Sequence, residues 1–417
     1  MCRKAQGTMM KIGIENLNIY GCSMALDQGK LAEARGKDPQ KVVKDFLIDT
    51  RSLNPLWEDV VTMGANAAKP IVENIDPKSI GILIVGTESS VDFGKPISTN
   101  ITGALGLPPN IRNYETKHAC YSGIAAMDAA VNWLASGFGD GRKALVISSD
   151  FSREHLRTKE EFVLGGTAAA VLLSDTPRLL EFEPRRKGTW TTDIYDTFRP
   201  SARAEVGNNE VSLYAYMDAL EGAWGDYVSR AEGGTDFDGD HRWLCYHTPF
   251  PGIAFQAHRT LCNINAPRRK SEVIEDFERR VVPTLQFSRR LGSTYGSSNF
   301  VGIAALLSGD SKLGTGDRIG FYAYGSGAIG EFWSARLCDG ARAEMKKMDI
   351  QSSLNARMNA SVEEYEKIEL HRSQVVELPD FNPDRSFPGG LWESAYRGRE
   401  LLTLEKVENY VRTYAWS

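Results

Sequence analysis

The feature that most constrains the fold is a set of short apolar runs, each strand-sized and each set apart from the next by polar or helical sequence. Ile80–Val85, Ala144–Ser148, Ala168–Leu173, Val301–Leu307 and Ile319–Ala323 are too continuously apolar to be half-exposed, so they read as buried strands. From Ser122 to Ser136 the pattern changes. Ile124, Met127, Val131 and Leu134 fall on one helical face, and Gly137 follows as a stop. Strands alternating with helices define an α/β layered fold. The chain has 417 residues, room for two average domains or one large duplicated unit. A weak internal echo favours duplication. The small-residue run Gly165-Gly166-Thr167-Ala168-Ala169-Ala170-Val171 closes the first half, and the turn Tyr324-Gly325-Ser326-Gly327 lies deep in the second. The expected halves are residues 1–178 and 179–417. Glu181 to Gly239 carries loop signals, and the chain from Asp339 onward, including Ser361-Val362-Glu363-Glu364-Tyr365-Glu366, reads as charged and mostly helical.

Bulk properties narrow the function classes. Net charge is −5, from 49 basic and 54 acidic residues, and no basic run is long enough to track phosphates, which argues against nucleic-acid binding. No apolar run approaches the roughly 18 residues of a membrane helix. The opening Met1-Cys2-Arg3-Lys4-Ala5-Gln6-Gly7 lacks a signal core, and Met9 or Met10 is an alternative start; a cytoplasmic protein is the expectation. Cys2, Cys22, Cys120, Cys245, Cys262 and Cys338 are scattered without C-x-x-C spacing, so neither a disulfide framework nor a metal site is expected.

One cysteine has a distinctive setting. Cys120, within Lys117-His118-Ala119-Cys120-Tyr121-Ser122-Gly123, opens the amphipathic helix. Free N–H groups and the macrodipole there favour an anion, so the thiol is expected to ionise below its usual value of about 8.5. The same N–H groups can hold a developing thioester oxyanion. A buried structural cysteine opening a helix is the alternative; Cys22 and Cys262 are assigned to packing.

Four motifs together resemble the 3-hydroxy-3-methylglutaryl-CoA (HMG-CoA) synthase family: Thr87-Glu88-Ser89-Ser90-Val91-Asp92, Ala119-Cys120-Tyr121-Ser122, Tyr246-His247-Thr248-Pro249-Phe250 and Tyr324-Gly325-Ser326-Gly327. The resemblance implies a thiolase-like fold, two α/β halves in a five-layered αβαβα core, assembled as a homodimer. Asp92-Phe93-Gly94-Lys95-Pro96-Ile97-Ser98-Thr99, Cys120-Tyr121-Ser122-Gly123 and Ala257-His258-Arg259 are similar to the branch that installs β-branches during polyketide synthesis. That branch implies substrates carried on phosphopantetheine, with no bound cofactor and no metal. The partners implied are a donor acyl carrier protein and the acceptor carrier domain of a polyketide synthase.

The resemblance also implies roles. Cys120 takes the acetyl group, Glu88 removes a methyl proton, and His247 hydrogen-bonds the acceptor ketone and helps protonate the alkoxide. The backbone of Cys120 and Ser326, with Gly325 permitting close approach, forms the oxyanion hole. Asp150 and Asp196 match supporting acids, each of which could instead cap a turn. Tyr295 and Phe250 are pocket walls or core. His118, two residues from Cys120, and His258 are rival histidines.

Two departures from the family stand out. Ser293 occupies the place of an asparagine that assists the acceptor carbonyl, and Pro251-Gly252-Ile253-Ala254-Phe255-Gln256 carries no lysine for a CoA phosphate. The missing cation favours a carrier protein over free CoA, with Arg35, Lys37, Arg268, Arg269 and Lys270 as candidates to meet it. A primary-metabolism synthase using acetyl-CoA and acetoacetyl-CoA, and a catalytically silent carrier-binding homologue, remain the competing readings.

Overall fold

A computed structural model describes residues 11–153, 155–231 and 233–417; Cys2 and the possible starts at Met9 and Met10 lie outside them. Nine strands form the main sheet system: β1 Gly13–Tyr20, β2 Ile80–Gly86, β3 Arg112–Thr116, β4 Lys143–Phe151, β5 Gly166–Ser174, β6 Leu180–Thr191, β7 Trp243–Tyr246, β8 Arg318–Gly325 and β9 Ile329–Leu337. Five helices frame it: α1 Val60–Val72, α2 Ser122–Ala135, α3 Asn209–Arg230, α4 Ile253–Asn265 and α5 Ser298–Ser308. Strand order is β7-β8-β9-β6-β1-β5-β4-β2-β3. The join between β6 and β1 is narrow, Gly13 opposite Glu181 and Ile14 opposite Leu180, so the ladder is in effect two sheets meeting at one corner.

Side-chain alternation builds the layers. On β2, Ile82 and Ile84 enter the central core while Leu83 and Val85 enter the outer one. On β5, Ala169, Val171 and Leu173 face inward, and Ala168, Ala170 and Leu172 face the other way. On β8, Ile319, Phe321 and Ala323 meet the same central core, whereas Tyr322 and Tyr324 face a third cluster. The central core contains residues of α2 and α5; α1 covers the far side of the first sheet, and α3 and α4 cover the far side of the second. The result is helix, sheet, helix, sheet, helix, the five-layered arrangement expected.

Three sequence expectations need correction. Val301–Leu307 is not a strand but most of α5, in which every residue from Ser298 to Leu307 is buried. A helix sandwiched between two sheets is apolar all round and has no amphipathic period to distinguish it from a buried strand. Its Ala304-Ala305-Leu306-Leu307 are strong helix formers. Next, Glu181–Gly239 is no loop region. It contains most of the long β6 and the 22-residue α3, capped by Asn208, whose side chain accepts from the N–H groups of Glu210 and Val211. Lastly, the C-terminal segment is helical through Val375, with Ser361 and Glu364 closing a capping box, but ends in a hairpin of Leu402–Glu408 against Val411–Trp416. Among the described residues no helix is long and apolar enough to cross a membrane.

This topology brings the ends of parallel strands from both sheets together. Glu88 follows β2, Asp150 lies near the end of β4, His247 follows β7, and Gly325 ends β8. Because α5 is the helix both sheets close upon, Leu306→Ala, at a side chain 1% exposed, is expected to lower stability by about 2–5 kcal/mol in chemical denaturation. A loss near zero would place α5 outside the load of the core.

Candidate active site

Cys120 sits in a tight turn just before α2. Ala119 adopts a positive φ of 41°, and the N–H groups of Tyr121 and Ser122 donate back to the carbonyls of His118 (2.9 Å) and Ala119 (3.1 Å). The turn at the end of β8 presses against it. A Cβ on Gly325 would lie 2.6 Å from the His118 oxygen and 2.6 Å from the Tyr121 Cβ, so only glycine permits this approach. Asp196 fixes the second turn, accepting from the Tyr324 hydroxyl (2.7 Å) and the Gly327 N–H (2.9 Å). It is a buried anchor for the 325–327 backbone. Ser326 stands between two glycines there, half-buried.

The carboxylates are held by an explicit network. Asp150 Oδ1 accepts from the Glu88 N–H (2.8 Å), the Thr87 hydroxyl (2.9 Å) and the Ser89 hydroxyl (2.9 Å). Those bonds fix the backbone of the Glu88 loop. Arg199 lies 3.2 Å from Glu88 and 2.8 Å from Glu205, donates to the Ser89 hydroxyl (2.7 Å), and stacks 5.1 Å above the Tyr295 ring. Burial, reinforced by Asp150 and Glu205 and opposed by Arg199, pushes the Glu88 carboxyl up to about 8. Burial works against the Arg199 cation, yet Glu205 and Glu88 more than offset it and hold the guanidinium firmly charged.

Cys120 does not behave as the helix argument predicted. Burial first, then the Glu88 and Asp150 carboxylates, push its thiol well above the ordinary value, with Arg199 opposing. The helix proper begins two residues later, and its end effect of about 1 kcal/mol at most sites is outweighed by nearby buried anions. At rest Cys120 is therefore a protonated thiol. The end of β2 brings Glu88 beside this turn: a Cβ on Gly86 would lie 2.3 Å from the Ser122 oxygen and 2.6 Å from the Gly123 nitrogen.

His247 enters from the second sheet. Its N–H donates to the Tyr322 carbonyl and its own carbonyl accepts from the Tyr216 hydroxyl (2.7 Å). Its ring centroid lies 6.3 Å from that of Tyr324, which immediately precedes the Gly325 that packs on the Cys120 turn. Nε2 is buried with no hydrogen-bond partner among the described residues, and burial lowers the ring's pKa to about 3. The imidazole is neutral, with one nitrogen free to engage a ligand.

Other expected residues sort by position. Tyr295 packs under Arg199 and donates to the Ser152 hydroxyl (2.9 Å). Ser293 is buried in the turn entering that segment, with its N–H on the Val163 carbonyl. Phe250 stacks edge-on against Phe46 (5.5 Å), which in turn lies over Phe162 (6.3 Å), so the three rings form one packed aromatic cluster. His118 packs edge-on against Tyr121. The rival His258 is committed elsewhere, its Nε2 3.0 Å from Asp276 and its Nδ1 3.1 Å from the Tyr246 hydroxyl. With Cys262 these two could surround a metal, but Arg268, Arg279 and Arg280 already crowd the Asp276 carboxylate. Of the basic candidates, Arg35 is paired with Glu161 and Glu366, Arg268 with Asp238, and Arg269 with Glu272.

Sequence reasoning missed Arg199, Glu205 and Arg153. Arg199 and Glu205 lie in the stretch read as loop, over a hundred residues from Glu88, and nothing in their spacing signals the encounter. Glu88, Arg199 and Arg153 line a chamber of about 460 Å3, together with Phe93, Tyr114 and Lys117.

An αβαβα core with a cysteine at a central helix tip, between the ends of two sheets, defines the thiolase-like class of condensing enzymes. Comparison with known proteins sharpens this. The family described as hydroxymethylglutaryl-coenzyme A synthase matches through its N-terminal model over residues 9–176 and its C-terminal model over residues 256–415. The polyketide biosynthesis 3-hydroxy-3-methylglutaryl-ACP synthase PksG of Bacillus subtilis is 34% identical, covering 98% of this chain and 100% of its own. The hydroxymethylglutaryl-CoA synthase of Enterococcus faecalis is 30% identical over 97% and 100%. Among solved structures, the HMG synthase of the curacin biosynthetic pathway in complex with apo donor-ACP superposes with a TM-score of 0.93 at 34% identity, over 98% of this chain and all of that one. The chain belongs to the HMG-CoA synthase family, and it is a carbon–carbon bond-forming acyltransferase.

Two outcomes follow for the site. Gly325→Ala is expected to cost about 1–3 kcal/mol of stability and to depress acyl transfer, read by denaturation and by acetylation of Cys120. A general base acts only when ionised, and the Glu88 carboxyl is raised; methyl-hydrogen exchange of acetyl-Cys120 into deuterated water should therefore rise about tenfold per pH unit below its pKa and level off above about 8. A flat profile between pH 6 and 8 would separate Glu88 from proton abstraction.

Proposed function

We propose that this protein is the condensing enzyme of polyketide β-branching, with Cys120 as nucleophile, Glu88 as general base and His247 as the polar contact to the acceptor ketone. The observation that carries the reading is the meeting of Cys120 with a raised, buried carboxyl at Glu88 in one site. Full-length similarity to PksG and to the curacin enzyme, which is known in complex with acetyl donor-ACP, supports carrier-bound substrates over free CoA.

The Cys120 sulfur attacks the donor thioester, its proton leaves to the departing carrier thiol, and the acetyl group remains on the enzyme. Glu88 takes a proton from the acetyl methyl. A buried carboxyl with a raised pKa is a stronger base than an exposed one, which suits so weak a carbon acid. The enolate carbon bonds to the acceptor β-ketone carbon, and His247, neutral with a free Nε2, holds the oxygen that becomes an alkoxide; the proton that Glu88 took from the methyl then passes to it, giving the hydroxyl and restoring the carboxylate. The Cys120 and Ser326 backbone would steady the thioester oxyanion. Water then cleaves the Cys120 thioester, restoring the thiol and leaving a carboxylate on the branched product, still attached to its carrier.

The donor carrier docks at a recess of about 600 Å3 beside Phe162, where Lys37 and Lys159 are cationic groups suited to an acidic carrier and its phosphate, Arg35 there being paired with Glu161. A homodimer is proposed on the family resemblance.

Intact-mass measurement after incubation with acetyl donor carrier protein or with acetyl-CoA tests the donor. Label from CoA and none from carrier protein would reverse the assignment. Cys120→Ala should abolish acetylation. Glu88→Ala should become acetylated yet fail to condense, because only the second step requires loss of the methyl proton. A folded Glu88→Ala protein that cannot be acetylated would contradict this division.

A further inference from the structure

The cations around the Glu88 chamber are not equivalent. Arg199 is clamped between Glu88 and Glu205. Arg412 is paired with Asp59 at 3.2 Å, and Arg372 lies 3.4 Å from Glu369 and donates to the Asn54 carbonyl. Arg153 has no such arrangement. It is 6% exposed, its Nε is buried without a hydrogen-bond partner, and among the described residues no carboxylate lies within ion-pair distance of its guanidinium. Its ring contact is Phe151, 5.0 Å away, and Arg372 occupies the same ring at 5.2 Å. One aromatic face shared with a second cation does little to compensate a buried charge.

A buried, unpaired guanidinium is costly unless something else supplies the anion. Arg153 lines the 460 Å3 chamber that opens beside Glu88, and also a small adjoining cleft with Arg372 and Arg412. Burial, and after it the neighbouring Arg199, lower its pKa to about 10, still high enough for it to be charged at neutral pH. A planar fork of N–H donors matches a carboxylate in two-point geometry.

We propose that the chamber beside Glu88 is a carboxylate-binding site, with Arg153 as its counter-ion and the carboxylate of the acyl product as its occupant. The origin of that carboxylate rests on the condensing reading above. Hydrolysis at Cys120 creates an anion close to Glu88 and Asp150, with Glu205 beyond, all acidic. Arg199 already faces Glu88 and Glu205, and Lys95 and Lys117 line the chamber from its exposed rim, so the buried cation without a counter-ion there is Arg153. The new carboxylate turns away from the acids and toward it. The site thereby draws the product off the nucleophile and favours dicarboxylic half-thioesters over neutral acyl chains of the same length.

The test uses the full-length protein and free 3-hydroxy-3-methylglutarate as probe, titrated by calorimetry at low salt, with its dimethyl ester as the uncharged control. The wild type should bind the dicarboxylate, more weakly as salt is raised, and bind the ester at least about tenfold less tightly. Arg153→Gln should weaken the dicarboxylate about tenfold or more, and Arg153→Lys should restore part of that loss. A crystal of the wild type soaked with the probe should place a carboxylate within hydrogen-bond distance of the Arg153 guanidinium, a reading that stands even if the glutamine variant fails to fold. Equal affinity for acid and ester, no loss in a folded Arg153→Gln, no binding to the wild type, or a probe seated away from Arg153 would each overturn the proposal. So would dissociation of a wild-type dimer on Arg153→Gln substitution, which would show that a carboxylate of a second copy is the partner. Because the titration involves no turnover, it reads the anion site even if Cys120 proves not to accept an acetyl group.

Discussion

The site depends on one buried guanidinium. Arg199 bridges Glu88 and Glu205 and touches the hydroxyl that donates to Asp150. Without it, three acids would share a low-dielectric pocket with a thiol, and their mutual repulsion would be relieved only by protonation or by opening the pocket to water. With it, Glu88 stays close to the point of ionisation: neither fully silenced by burial nor fixed as an anion by the cation. Arg199 comes from the segment joining β6 to α3, in the second half of the chain, whereas Glu88 and Asp150 come from the first. The electrostatics of the site thus require both halves to be assembled.

The same division of labour holds sterically. The turn carrying Cys120 is contributed by the first half, and the 325–327 turn that meets it is contributed by the second, fixed by Asp196. His247 arrives on β7, hydrogen-bonded to β8 through Tyr322. Each functional side chain sits at a strand end or helix tip whose rigidity comes from the five-layered core. Catalytic geometry is inherited from packing.

Much of this was readable in the residues. Ile80–Val85, Ala144–Ser148 and Ile319–Ala323 are strands because continuous apolar β-branched runs between helices have few other uses, and Ser122–Ala135 is a helix because its apolar period and Gly137 say so. Glu88, Cys120 and His247 were singled out from motifs whose order spans the chain. What could not be read has a common physical cause. The helical state of Val301–Leu307 is decided by layers packed on both sides of it, and α3 by a face of small and aromatic residues (Ala215, Ala219, Ala223, Trp224) interleaved with charge. The raised thiol of Cys120 is set by acids from elsewhere in the chain, which a local helix-end argument does not contain. Arg199 and Glu205 acquire meaning only through partners distant in sequence.

The contact between Gly325 and the His118–Tyr121 turn is nearly all backbone, the Tyr121 Cβ being the one side-chain atom close to it. Side chains ordinarily act as compliant spacers, rotating to absorb small movements between neighbouring elements. Here the only such atom is a Cβ, which cannot rotate away from its own backbone, so the two turns have almost no compliance between them. The turn before the central helix and the loop after β8 therefore hold each other's position directly.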